Sequence, residues 1–319
     1  MSTSHYKGIA YALGACLIWG LIFIVPQFMK GFTPLEIAIG RYFTYGSISA
    51  LILMKMYLQG RCRFPAKIWL KAILFSVTCS FGYYTFVVLS VRYSTPAICA
   101  LIIGITPIAI AFYGNWKKKE CSYQSLIMPS VLILVGLVII NVPNLIRTAA
   151  PSTYLIGLFC AVWALLGWSW YAVANSNFLK SNREVNSSDW STVIGVSTLF
   201  WVVVFSVSAA IFFEDEFDFS KYFTLGPELT NFLLGCATLG ILCSWVGGFL
   251  WNKACLHLPV SFAGQLTIFE TVFGLCYIYA LEGSLPPVLE CLGMAFLLMA
   301  IAYGIRATTR VAPEVASAT

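Results

Sequence analysis

Ten long apolar runs, most of them ended by proline or a polar cluster, constrain this chain more than any other feature. A helix needs about 20 apolar residues to cross a bilayer. Runs that satisfy this lie at about 8–29, 35–57, 67–91, 94–116, 123–142, 154–180, 188–213, 229–256, 258–282 and 286–306. The interruptions are Pro34, the RCRFP cluster at 61–65, Thr95-Pro96, KKKE at 117–120, Pro143 with Pro151, Pro227, Pro259 and Pro286-Pro287. Two connections, near Tyr93-Ser94 and near His257-Leu258, are very tight. The runs are too long and too continuous for barrel strands, which alternate. Only 10% of the 319 residues are charged and the mean hydropathy is +0.85. Soluble domains average about 25% charged residues, so no soluble core could hide this surface. The expected fold is all-α and integral to a membrane.

The N-terminal LGAC at 13–16 resembles a lipoprotein cleavage box. The apolar stretch between Lys7 and that box is only five residues, shorter than the ~7–15 of a signal h-region, and hydrophobicity continues past Cys16. An uncleaved first helix follows.

Positive charge orients the bundle. With the N-terminus inside, fourteen of the Lys and Arg residues fall on the inner ends and loops. Five (Lys30, Arg41, Arg92, Arg147 and Lys221) fall on the outer side. Both termini are expected in the cytoplasm, and the acidic EDEFD at 214–218 is expected to face outward as a solvated loop. The eleven cysteines show no paired CxxC spacing, and Cys62 and Cys121 fall on the reducing side, so neither disulfides nor a zinc site is expected.

The chain is doubled. GYYTFVVLSVRYSTPAICALIIGITPIAIAF at 82–112 lies over VGGFLWNKACLHLPVSFAGQLTIFETVFGLC at 246–276 with a constant shift of 164 and no gap. A looser match sets LIWGLIF at 17–23 over ALLGWSW at 164–170. Five spans per half is an odd number, so the halves are inverted with respect to one another. That is an architecture of many secondary transporters, with sites near the midplane where the halves meet. The expected organisation is a first repeat at 1–148, a second at 149–310, and a disordered cytoplasmic tail at 311–319.

The Trp19-Gly20 pair, TPLEIAIGRY at 33–42, VRYSTPAICALI and TPI within 91–108, LWNKACLHLPVSFAGQLTIFE at 250–270 and LEGSLPP at 281–287 together resemble the drug/metabolite transporter superfamily, EamA type. The likeness covers both halves, about 8–306. It implies a bacterial inner-membrane carrier with termini inside and a central cavity bounded by spans one, three, four, six, eight and nine. It also implies, in many members, export of amino acids or related metabolites. One departure is plain: the family carries proline after the polar residue of span nine. Span four keeps it as Thr106-Pro107, whereas Glu270 is followed by Thr271, which leaves a kink in span nine open.

Candidate site residues are the polar and aromatic ones at membrane depth. Thr33, Pro34 and Glu36 read as a capping box, and Glu290 as a first-turn carboxylate favoured by the helix dipole. Glu282 belongs to an interfacial turn. Glu270 alone lacks a cap, a terminus or a neighbouring cation in sequence, and an acid near the bilayer centre costs roughly 2.5–3.5 kcal/mol on insertion scales. Ala263, Thr267, Glu270, Thr271 and Gly274 form one small, polar helical face. Ser244, Gly247, Gly248 and Trp251 do the same in span eight. Span six offers Trp163, Gly167, Trp170 and Ala174. The repeat pairs these with Cys16, Gly20, Phe23 and Gln27, and it equates Tyr83 and Tyr84 with Gly247 and Gly248, and Ser80 with Ser244. Arg41 either faces the cavity and binds a carboxylate or snorkels outward; Lys253 reads as snorkelling.

The expected function is secondary active transport of amino acids or related small metabolites by alternating access, as proton-coupled export. Glu270 would bind a proton or a substrate amine while rings stack on the substrate. Transport of cationic or amphipathic compounds (quaternary ammonium drugs, S-adenosylmethionine) stays open, because cations favour aromatic faces; so does a channel or a non-transporting sensor. Enzymes are disfavoured: no aspartate lies at depth, no GxSxG or HExxH is present, and the histidines are 252 positions apart. No cofactor beyond a coupling proton is expected, no metal and no nucleic acid. The expected partners are a small-molecule substrate and the lipid bilayer, and the expected state is a monomer.

Overall fold

The computed structural model describes residues 3–61, 64–119, 122–147, 153–212 and 219–316. The acidic loop at 214–218, Cys62, Arg63 and Cys121 lie outside these residues.

Hydrocarbon offers no hydrogen-bond partner, so an apolar run satisfies its own backbone by coiling. Ten helical spans result: Thr3–Phe28, Pro34–Leu58, Ala66–Tyr93, Pro96–Lys118, Tyr123–Pro143, Tyr154–Ser181, Ser187–Val207, Pro227–His257, Val260–Glu282 and Val288–Ile305. No strand occurs among the described residues. Starts and stops follow local chemistry. The Thr33 hydroxyl accepts the Glu36 N–H at 3.2 Å, and the Glu36 carboxylate accepts the Thr33 N–H at 2.7 Å, the expected capping box. Thr95 caps span four just ahead of Pro96, accepting from Ile98 N–H. Gly283, at φ +62°, ends span nine in the left-handed conformation that suits glycine. The last helix runs Val288–Ala316.

The packing reveals the doubling independently of sequence. Spans two and seven, four and nine, and five and ten pack on each other; span one packs on eight, and span three on six. Exchanging each span for its counterpart five places on maps the first three pairs onto themselves and swaps the last two. That is the signature of an inverted five-plus-five repeat.

An even number of spans puts both termini on one side, here called the terminal side. There the halves of spans four and nine, Thr106–Lys118 and Val260–Leu266, cross closely. A side chain at Gly264 would collide with Ile110, and one at Gly114 with Val260. Polar side chains tie the same side together. Trp190 Nε1 donates to Asn175 Oδ1 (2.6 Å), Asn175 Nδ2 to Asn252 Oδ1 (2.8 Å), Asn252 Nδ2 to Ser191 Oγ (2.9 Å) and the Tyr45 hydroxyl to the Ser191 carbonyl (2.8 Å), all buried. On the far side the partners differ. Pro96–Gly104 packs on spans five and six, whereas Phe269–Glu282 packs on span one, including its tight turn at Gly20–Phe23.

Candidate functional site

Span nine breaks although it has no proline. After Val260–Leu266 the ladder tightens to three-residue bonds: Thr267 N–H to the Gly264 carbonyl (3.2 Å) and Ile268 N–H to that of Gln265 (3.4 Å). The Thr267 hydroxyl also donates to the Gly264 carbonyl, at 2.7 Å. A new half-helix, Phe269–Glu282, then starts. Span four breaks in the same way after Gly104, with the Thr106 hydroxyl donating to the Ile103 carbonyl at 2.5 Å and Pro107 following. A threonine that back-bonds to its own helix can bend it without proline, which settles the open question of the kink. It also corrects the reading of Glu270 as far from any helix end. Glu270 lies in the first turn of a half-helix, its N–H bonded to the Thr267 carbonyl at 3.0 Å, where the helix dipole is positive.

Spans three and eight each widen at mid-course into a π-helical stretch, Val77–Phe81 and Thr238–Val246. The 164-residue shift carries the first into the second. π-bulges occur frequently at functional sites, where they change the direction of side chains. Ser244 donates to the Leu239 carbonyl five residues back (3.0 Å) and accepts from Arg41 Nε (3.0 Å). Its counterpart Ser80 accepts from the Thr198 hydroxyl at 3.4 Å. Each bulge serine thus turns to the span that the symmetry requires, span two in one case and span seven in the other. One partner is a cation and the other a neutral hydroxyl.

Arg41 is only 8% exposed, so it does not snorkel. Its guanidinium lies 5.0 Å from the Tyr42 ring centre. Arg41, Tyr83, Cys16 and Cys243 all lie within electrostatic range of Glu270. Among the described residues the Glu270 carboxylate forms neither a hydrogen bond nor an ion pair. Cys16 itself is turned to the Leu266 carbonyl at 3.4 Å. Aromatic rings continue the wall: Tyr83 to Trp168 (5.4 Å), Trp168 to Trp19 (6.0 Å) and Tyr171 (5.2 Å), and Trp19 to Trp251 (5.9 Å). Trp19 is held by its Nε1 donating to the Cys243 carbonyl in the widened turn, at 2.8 Å. Tyr84 stands edge-on to Tyr42 at 6.2 Å.

The structure therefore brings Glu270, buried Thr267, half-buried Thr271, Arg41, Ser244, Tyr83, Tyr84 and Trp251 into one region, with Ser80 on the opposite bulge. Other candidates lie elsewhere. Trp163 is 53% exposed and stacks on Phe86 and Phe159, away from the interior. Trp170 turns to Phe75, and half-buried Gly167 lies near the Thr78 carbonyl. Gln27 is exposed and donates to the Phe23 carbonyl at 3.3 Å. The Phe23 ring, 42% exposed, covers Gly274, so that span one lies directly on span nine; a side chain at Gly20 would crowd Phe273 and Tyr277. Lys253 is half-buried against the Phe249 ring.

Sequence reasoning passed over Trp19, Trp168 and Tyr42 as wall residues. The signal for span six was available: Ala161, Ala164, Tyr171, Ala172 and Asn175 mark a face of small and polar residues, which the structure buries. That face, rather than the tryptophan stripe at 163 and 170, points inward.

Outside this region, Glu36 is buried beneath the far-side loop that precedes span eight. Lys221 Nζ pairs with it at 3.2 Å, and the Tyr222 hydroxyl donates to it at 2.9 Å. Burial, with the Glu36 carboxylate beside it, holds the Tyr222 phenol well above the usual tyrosine range. Glu290 accepts from the Tyr279 hydroxyl at 2.6 Å in the first turn of span ten. Among the described residues no cluster of three His, Cys, Asp or Glu is disposed to hold a metal ion.

Ten spans, an inverted repeat, and broken helices meeting two widened ones define a multi-pass membrane transporter. Residues 6–142 match the model of the EamA-like transporter family, in keeping with the resemblance carried by the sequence motifs. The chain is 28% identical over 312 residues to the Inner membrane protein YtfF of Escherichia coli K12, covering 94% of this chain and 95% of that protein. It is 20% identical over 259 residues to the Uncharacterized transporter YyaM of Bacillus subtilis 168, covering 81% of this chain and 80% of the other. A crystal structure of a protein 18% identical in sequence superposes with a TM-score of 0.74, over 93% of this chain and 98% of that one. That match shows the fold alone.

Proposed function

We propose that this chain is a secondary active carrier of the inner membrane, with both termini cytoplasmic, that exports amino acids or related small metabolites by alternating access coupled to protons. The repeats 1–148 and 149–310 would rock against each other about the helix breaks, and the carrier would work as a monomer without catalysis or cofactor. The observation that carries this reading is Glu270: an acid in the first turn of the broken span nine, unpaired among the described residues. A carboxyl that gains a proton from one side and loses it to the other ties substrate movement to the proton gradient. The similarity to YtfF, named an inner membrane protein, supports the location.

Reconstitution tests it. Purified protein in proteoliposomes is expected to drive substrate against its gradient when a pH difference is imposed. Glu270→Gln is expected to abolish that pH-driven flux while keeping counterflow of preloaded substrate. Unchanged pH dependence in the variant rules out the coupling role, and non-saturable flux without counterflow favours a channel. A second reading, transport of organic cations, is favoured by the Tyr83–Trp168–Trp19 rings beside an acid. Buried Arg41 opposes it, because a bare cation would have to sit near another.

A further inference from the structure

We propose that Lys221 and Tyr222 form a releasable latch on Glu36, made while the terminal side is closed, as here, and broken when the two halves rock to the opposite state. The inference rests on the alternating-access reading above and names a contact on which that cycle turns.

The latch joins the two repeats on the far side. Glu36 belongs to the first turn of span two, whereas Lys221 and Tyr222 end a short turn, Phe219–Tyr222, in the connection from span seven to span eight. The Lys221 ammonium lies 3.2 Å from both Glu36 carboxylate oxygens and donates to the Gly31 carbonyl at 3.0 Å. The Tyr222 hydroxyl adds a bond of 2.9 Å. Phe32, from the connection between spans one and two, lines the contact. Its ring stacks on Phe232 of span eight at 4.0 Å, meets Tyr222 at 5.7 Å and lies 5.3 Å from the Lys221 ammonium. The Glu36 side chain is fully buried, but that of Lys221 stays 23% exposed, so the cation can return to water along its flexible stem.

The repeat makes this contact temporary. Span seven is the counterpart of span two and starts in the same way, with a polar cap and a carboxylate at the third helical residue. Asn186 Oδ1 accepts the Asp189 N–H at 2.8 Å, as the Thr33 hydroxyl accepts that of Glu36. Asp189 is bonded only to its own cap among the described residues, through Asn186 Nδ2 at 2.7 Å. An opposing cation is nevertheless present. Arg61 lies in the connection from span two to span three, which corresponds to the one that bears Lys221; it is exposed, and its guanidinium has no partner among the described residues. The same parts are thus assembled at one end of the molecule and apart at the other. Inverted repeats exchange their conformations when access alternates, so each end then takes the arrangement now seen at the opposite end. In the other state Glu36 resembles Asp189 here: capped, and free of the loop.

The test is hydrogen–deuterium exchange of the purified protein in detergent, read in Thr106–Lys118 and Val260–Leu266, which close the terminal side at the other end of the molecule from the latch. Lys221→Gln is expected to speed exchange there by about tenfold or more, because losing the ion pair favours the state in which the terminal side is open. Span five is expected to keep its wild-type rates. Lys221→Arg keeps the charge and is expected to hold terminal-side exchange within about twofold of wild type. Faster exchange confined to the latch marks a static pin, and faster exchange that includes span five marks general loosening; either overturns the proposal, as does no change at all. If Lys221→Gln does not fold, Tyr222→Phe decides. It keeps the ion pair and is expected to give a smaller rise in the same terminal-side segments, and no rise there overturns the latch. Non-saturable flux without counterflow in proteoliposomes, together with faster terminal-side exchange in Lys221→Gln, overturns the carrier reading and leaves the latch standing.

Discussion

At the scale of single residues, the far-side loop shows how a carboxylate can be afforded at the membrane surface. Glu36 is 1% exposed but accepts the Thr33 N–H, the Lys221 ammonium and the Tyr222 hydroxyl. The Tyr222 phenol is held in its neutral form, and this has a pH consequence. A group whose folded-state pKa is raised contributes stability that is full below its unfolded value, near ~10 for tyrosine, and is lost as pH rises through the folded value. Thermal unfolding in detergent should therefore show stability falling above about pH 10, and Tyr222→Phe should remove part of that fall. At neutral pH the same variant should lose roughly 1–3 kcal/mol, since a hydrogen bond to a buried carboxylate goes. A fall of equal steepness in Tyr222→Phe would mean that the contact does not control alkaline stability.

At the scale of elements, the breaks in spans four and nine show what the sequence could and could not convey. Pro107 announced its break, whereas span nine breaks through the Thr267 hydroxyl, and a threonine in an apolar run reads equally well as a packing residue. Equivalence under the repeat suggests a graft. Thr271→Pro restores the proline of span four in the first turn of the half-helix, where only the Thr271 N–H to Ile268 carbonyl bond is lost. It is expected to fold, with a loss of about 1 kcal/mol. Cys276→Pro, in the interior of the same half-helix, is expected to cost ~3 kcal/mol or more. The comparison needs only size-exclusion profiles and melting curves. Equal loss in both variants would show that the turn at Thr267 does not begin a new helix. The face of span six was harder to read for a different reason: tryptophan suits a membrane interface as well as a cavity wall. Only the alanines at 161, 164 and 172 and the buried Asn175 separate the two faces.

At the scale of the whole molecule, the number of spans, their bounds and the doubling were legible because each rests on hydrophobicity summed over many residues. The meeting of Arg41 with Ser244 was not, since it joins positions 203 apart through a turn whose width no local pattern announces. Alternating access requires the terminal-side crossing of spans four and nine to part and close again. Gly264→Leu, a wedge against Ile110, should leave a folded protein that binds ligand from the far side but shows counterflow reduced at least about tenfold, because overpacking a closed interface costs typically 1–3 kcal/mol. Full counterflow in that variant would mean that the crossing need not close. The widened turns carry a last consequence, which concerns history. A π-bulge is an α-helix with a residue inserted, and here one lies in each half, matched by the same ungapped shift that aligns the rest of the repeat. One insertion in a single-copy ancestor yields both, whereas separate insertions would have had to strike the same position twice. A widened turn already present before the duplication accounts for both with a single event.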